Sequence, residues 1–272
     1  KLIDKIKYFG LKFNKKDNYT DNHLIFKKSS LMKISAFAFH ESELMLSLRS
    51  IINIKNYTVL TMLLGSRSAE IKRLSKVFLE TAILLKAQIP QLIITFPFIK
   101  ISHQELFTNI LNSTYSKHFI NLSDISTLDE LQHNQKLKKI IYITSINETS
   151  NMIKAADLVL SKSGTVSLEV ALCKKPMVIT YKVSFLTAWI LKYKLKTKYV
   201  GQANIILNEE VVPEVLQENA TANNLSEQLL NMYKDNKRCD YIRQKFQELH
   251  TLLNLDSNHI AASAIIELIS KS

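Results

Sequence analysis

Ser163-Gly164-Thr165 stands two residues after the apolar run Leu158-Val159-Leu160 and opens the segment Val166 to Leu172. A strand that turns through Ser-Gly-Thr into a helix aims free backbone N–H groups and the positive end of the helix dipole at one point. That is an anion site, best suited to phosphate. Glu169 follows about one helical turn later, where a carboxylate can accept hydrogen bonds from sugar hydroxyls. The same residues also read as an ordinary helix cap, with Ser163 or Thr165 satisfying orphan N–H groups and Glu169 in solvent. Only four glycines occur in 272 residues, so one placed between a strand and a helix carries weight.

A second junction of the same kind is Leu63-Leu64-Gly65-Ser66-Arg67-Ser68-Ala69-Glu70-Ile71. Arg67, at the carboxyl end of the preceding strand, could reach a phosphate through its two-pronged guanidinium. It reads equally as a surface arginine pairing with Glu70 at i, i+3. Two such junctions weigh more than either alone.

The elements that must hold these turns alternate along the chain. Thr58–Leu64, Leu92–Phe96, His118–Leu122, Ile140–Ile143, Asp157–Ser161 and Pro176–Thr180 read as strands, the second closed by Pro97. Ala69–Ala87, His103–Leu111, Glu148–Ala156, Thr165–Leu172 and Phe185–Leu195 read as helices between them, and Leu225–Tyr233, Arg238–Leu252 and His259–Ile269 as a helical C-terminus. Strands alternating with helices of this length imply βαβ units, a parallel sheet covered on both faces, and ligands at the carboxyl ends of the strands. The expected class is α/β, a Rossmann-like parallel sheet flanked by helices.

Composition narrows the partners. Lys+Arg exceed Asp+Glu by 36 to 24, a formal charge of +12, which suits phosphate-rich ligands or anionic lipid. Nucleic-acid binding would rest on that charge alone and is not expected. Cys173 and Cys239 make neither a disulfide framework nor a zinc site. No apolar run reaches the ~18 residues that span a bilayer, and no signal peptide is read. The sequence starts at Lys1, not Met, which reads as a fragment or a processed product. His40, His103 and His250 read as surface or capping residues, and no general base is nominated.

Taken together, these motifs resemble lipid-A-disaccharide synthase, a family of GT-B glycosyltransferases. Its Pro-Gly-Ser-Arg-x-x-Glu-Ile segment is matched by Gly65-Ser66-Arg67 and Glu70-Ile71. Its Ala-Ala-Asp…Ser-Gly-Thr-x-x-Leu-Glu segment is matched by Ala155-Ala156-Asp157, Ser163-Gly164-Thr165 and Leu168-Glu169. Lys174, Pro176-Met177-Val178 and Tyr181 match the next motif; Lys196-Thr197, Tyr199-Val200 and Asn204 the one after; and Val212-Pro213-Glu214 the last. Leu64 and Ala203 stand where the family has turn prolines.

The resemblance implies the C-terminal half of a GT-B enzyme. Residues 58–235 would be the Rossmann-like nucleotide-sugar-binding domain, 236–272 the C-terminal helices, and 1–57 a poorly matched remnant of an N-terminal domain or linker. The family's Gly-Glu-x-Ser-Gly-Asp turn is absent from the sequence, so most of the N-terminal domain is expected to be missing. The implied reaction transfers diacylglucosamine from its UDP-linked donor to an acylated glucosamine 1-phosphate, releasing UDP, without a cofactor or a required metal. Ser163, Gly164, Thr165 and Arg67 would serve the diphosphate, Glu169 the ribose hydroxyls, and Asn204 the donor sugar or its phosphate.

The implied location is cytoplasmic and peripheral, at the inner-membrane surface. Phe185, Trp189, Lys192 and Lys194 on the Phe185–Leu195 helix are the candidate membrane contacts; a core helix with a basic edge is the other reading. Two further functions stay open. One is a truncated, non-catalytic nucleotide-binding remnant, and the other a different GT-B glycosyltransferase using a UDP-aminosugar.

Overall fold

The computed structural model describes residues 57–124, 138–182 and 198–253. Seven strands form one parallel sheet: β1 (Thr58–Leu63), β2 (Leu92–Phe98), β3 (Phe119–Asn121), β4 (Ile140–Ile146), β5 (Leu158–Lys162), β6 (Met177–Tyr181) and β7 (Glu214–Leu216). The helices are α1 (Ser68–Gln88), α2 (Ile101–Thr114), α3 (Thr149–Ala155), α4 (Thr165–Leu172), α5 (Gln202–Leu207), α6 (Ala222–Lys234) and α7 (Asn236–Leu253). The strand order is β3-β4-β2-β1-β5-β6-β7.

The apolar runs form strands because both faces of the sheet are covered. Every residue of β1 and of β2 is buried, as a parallel sheet between helix layers requires. In α1, Ile71, Leu74, Phe78, Ala82 and Leu85 recur at helical spacing and are all buried, which makes one apolar stripe against the sheet. From β1 the chain passes through α1 to β2 on one side; from β5 it passes through α4 to β6 on the other. Right-handed crossovers in opposite directions put α1 and α4 on opposite faces. Helices α2 and α6 pack against α1, while α5 and α7 pack against α4.

The central pair, β1 and β5, is therefore where the winding reverses. Its register sets Leu60 against Leu158 and Leu63 against Ser161. Asp157 locks the start of the pair: its Oδ2 accepts from the Val59 amide at 2.8 Å, and its own amide donates to the Val59 carbonyl at 2.8 Å.

Three local expectations differ from the structure. Pro97 lies inside β2, level with Ser145 of β4, rather than ending the strand. The pairing of β2 with β1 stops at Thr95, so a residue without an N–H sits where one flank of the ladder has already run out. His103 is buried at 6% exposure in the first turn of α2, neither on the surface nor capping the helix. Helix α5 and strand β7 are additional elements. The segments 183–197 and 254–272, with the expected helices at Phe185–Leu195 and His259–Ile269, lie outside the described residues.

Candidate functional site

Because Leu63 and Ser161 are level, the turns that follow β1 and β5 emerge side by side at the carboxyl edge. In an open α/β sheet the crevice at this reversal is the ligand position. Both turns depend on glycine. Gly65 has φ +108, and a Cβ there would run into the carboxylate of Glu70. Gly164 has φ +153 and is the N-cap of α4.

Arg67 is the N-cap of α1 and has no side-chain cap of its own. Glu70, three residues on, fills that gap with half of a capping box. Its Oε2 accepts from the Ser66 amide at 3.0 Å, and the Arg67 amide also donates to the carboxylate. Its Oε1 meets Lys162 Nζ at 2.9 Å, across the crevice. Burial pushes the Glu70 carboxyl up, but the Lys162 ammonium and these two amides outweigh it and leave it below its usual value. Arg67 is consequently not tied to Glu70 by its guanidinium. It is exposed, and no carboxylate among the described residues pairs with it.

On the other turn, Ser163 is buried and already bonded. Its amide donates to the Thr180 carbonyl at 2.7 Å, and its hydroxyl to the Val200 carbonyl at 2.9 Å. Ser167 secures the turn from within the helix, its amide and hydroxyl both donating to the Gly164 carbonyl. The amides of Gly164, Thr165 and Val166 meet no acceptor among the described residues, as first-turn amides do unless a ligand or water serves them. Thr165 is exposed and Glu169 half-buried on the next turn of α4. The Cys173 thiol at the end of α4 is pushed up by burial and then by the Glu169 charge.

Asn204 is fully buried and fully used. Its Nδ2 donates to the Val212 carbonyl and to Glu214 Oε1, both at 2.8 Å, while its Oδ1 accepts from the Val212 amide at 3.1 Å. Glu214 also accepts from the Gly201 amide at 2.9 Å and, through Oε2, from the Val200 amide at 2.8 Å. A Cβ on Gly201 would collide with Ile179. Asn204 and Glu214 thus hold the Val200–Gly201 turn, which in turn holds Ser163.

Arg67, Ser163, Gly164 and Thr165 are therefore brought to one edge, with Glu169 one turn along α4 and Asn204 behind the adjoining turn. Two residues that do work here were missed in the sequence. Lys162 immediately precedes Ser-Gly-Thr, so its position was available, but its partner 92 positions away was not. Glu214 sat in a matched motif, yet its donors come from the Val200–Gly201 turn and from Asn204 on the short helix α5, which no periodicity marks. A wider basic rim follows β6: Arg73 Nη1 donates to the Lys182 carbonyl at 3.3 Å, and Lys182 Nζ to the Ala220 carbonyl at 3.4 Å. Phe185, Trp189, Lys192 and Lys194 lie outside the described residues. No helix among the described residues is long and apolar enough to cross a membrane, and no group of three or more His, Cys, Asp or Glu residues among them could hold a metal.

A doubly wound parallel sheet with paired glycine turns at its switch point defines a Rossmann-like α/β domain. Residues 38–267 match the family model for lipid-A-disaccharide synthetase, and the chain belongs to that family of glycosyltransferases. The lipid-A-disaccharide synthase of Neisseria meningitidis serogroup A is 34% identical over 210 residues, covering 77% of this chain and 49% of the relative. That of Pseudoalteromonas translucida is 33% identical over 214 residues, covering 78% and 49%. The chain spans about half the length of these curated relatives.

Among solved structures, Anabaena HepE in complex with UDP-glucose superposes with a TM-score of 0.50 at 15% identity, covering 88% of this chain and 55% of that one. An E. coli trehalose-6-phosphate protein bound with UDP-2-fluoro glucose gives 0.51 at 11%, covering 89% and 50%. These likenesses concern the fold, which is that of one half of a GT-B glycosyltransferase, as the resemblance implied.

Proposed function

We propose that this chain supplies the donor-binding half of a lipid A glycosyltransferase. It would hold UDP-linked diacylglucosamine while the sugar passes to an acylated glucosamine 1-phosphate and UDP departs. The observation that carries the reading is the pairing of the Gly65–Arg67 and Ser163–Thr165 turns on adjacent strands at the switch point. In such a displacement the acceptor hydroxyl attacks the anomeric carbon and negative charge builds on the leaving diphosphate. Stabilising that charge with preorganised donors is a large catalytic term.

In this reading the amides of Gly164 and Thr165 and the Thr165 hydroxyl bind the diphosphate, and the Arg67 guanidinium neutralises it. Glu169 accepts from the ribose hydroxyls. Ser163 shapes the turn from below. Asn204 serves the sugar end through the Val200–Gly201 turn, which Glu214 and Asn204 hold in place. Acylated substrates would draw the protein to the cytoplasmic face of the inner membrane, and its net positive charge supports this by favouring anionic headgroups.

The test is mass spectrometry of reactions holding the full chain, UDP-diacylglucosamine and diacylglucosamine 1-phosphate. Disaccharide with stoichiometric UDP supports a transferase. Retention of donor without product supports a nucleotide-binding chain alone. A folded chain that neither retains nor consumes the donor contradicts the reading.

A further inference from the structure

We propose that Lys162 is a diphosphate-binding side chain and that Glu70 is the residue that positions it. The inference rests on the reading of the switch-point turns as a diphosphate site, and adds to it a cation from outside the Ser-Gly-Thr motif. Lys162 is the last residue of β5, so its stem leaves the strand at the same level as the turn it precedes. A lysine so placed would ordinarily extend into solvent. Here its side chain is 21% exposed and its ammonium is drawn to Glu70 Oε1 at 2.9 Å, with Glu70 itself only 16% exposed.

Two details set this pair between the two turns. The Lys162 ammonium lies 3.6 Å from where a Cβ on Gly164 would stand, in contact distance of the turn that opens α4. Glu70 is anchored from the opposite side by the Ser66 and Arg67 amides, and Gly65 is the residue whose missing Cβ leaves room for its carboxylate. Two of the chain's four glycines therefore flank one ion pair. Among the described residues, the two turns themselves carry two cations, Lys162 and Arg67, against the Glu70 carboxylate, with Glu169 one turn further along α4. The surplus positive charge sits beside the unserved first-turn amides of α4, and a diphosphate complements that arrangement. A lysine ammonium has three donors, so it can keep Glu70 and take a phosphate oxygen together.

Calorimetric titration of the full chain with UDP, UMP and uridine tests this in Lys162→Met, Lys162→Arg, Glu70→Gln and Arg67→Ala. Loss of a charge-assisted bond predicts UDP affinity falling roughly tenfold or more in Lys162→Met, with uridine affinity unchanged. Lys162→Arg should recover most of that loss, and Glu70→Gln should cost less than Lys162→Met. If Lys162→Met does not fold, Lys162→Met with Glu70→Gln removes both half-buried members of the ion pair and should show the same selective loss. Wild-type UDP affinity in the Lys162 variants, beside a loss in Arg67→Ala, overturns the proposal and leaves the site standing. Equal losses of UDP and uridine affinity make Lys162 a strut and overturn it as well. Failure of the folded wild type to bind UDP overturns the site itself.

Discussion

At the scale of single residues, the site turns on positions where a side chain would be in the way. Gly65 meets two demands at once, a left-handed φ and the space taken by the Glu70 carboxylate. Gly65→Ala must displace that carboxylate, and with it the bonds to the Ser66 amide and to Lys162. A residue forced into sparsely populated backbone space costs about 1–3 kcal/mol. Gly65→Ala should therefore unfold at a clearly lower denaturant midpoint, with an unchanged slope in a chemical denaturation series. A midpoint equal to wild type would show that the carboxylate and turn can shift freely. Ser163 has a parallel lesson: its hydroxyl was a phosphate ligand by motif, yet in the structure it is donated to Val200. The motif's residue type was legible; which of its atoms face a ligand was not.

At the scale of elements, the alternation of strands and helices was readable because buried parallel strands are continuous apolar runs. Helix α4 spans Thr165–Leu172 as expected, bounded by Gly164 and by the sharp return at Cys173 and Lys174. Strand β7 and helix α5 were not readable. They are three and six residues long, too short for a period to emerge, and they are held by Glu214 and Asn204 rather than by pattern. Pro97 misled for a related reason, since proline's cost depends on whether a neighbouring strand needs its N–H. Glu214 is the residue on which these short elements converge. Glu214→Ala would leave the Val200 and Gly201 amides and a buried Asn204 donor short of an acceptor. Unsatisfied buried groups cost about 1–3 kcal/mol each, so a global loss of roughly 2–4 kcal/mol is expected by urea denaturation. A loss under about 0.5 kcal/mol, the range of ordinary surface changes, would mean that water replaces the carboxylate without penalty.

At the scale of the whole molecule, charge and topology act together. The formal charge of +12 raises the local concentration of anionic ligands and surfaces, while the sheet's reversal fixes where a bound anion is held. The same charge suits an inner-membrane surface, and the single Trp of the chain, Trp189, lies among the candidate contacts Phe185, Lys192 and Lys194. Its fluorescence should shift to the blue when vesicles rich in phosphatidylglycerol are added, and the shift should fade as salt is raised. An emission maximum indifferent to such vesicles would remove this segment from the membrane.

If the β1 and β5 turns form a working diphosphate site, calorimetric titration with UDP should show it. Wild-type chain should bind UDP, and Arg67→Ala and Glu169→Ala should each weaken that binding roughly tenfold, the scale of one charged hydrogen bond. A wild-type chain shown to be folded by its thermal transition, yet giving no heat with UDP, would mean that these turns hold no diphosphate.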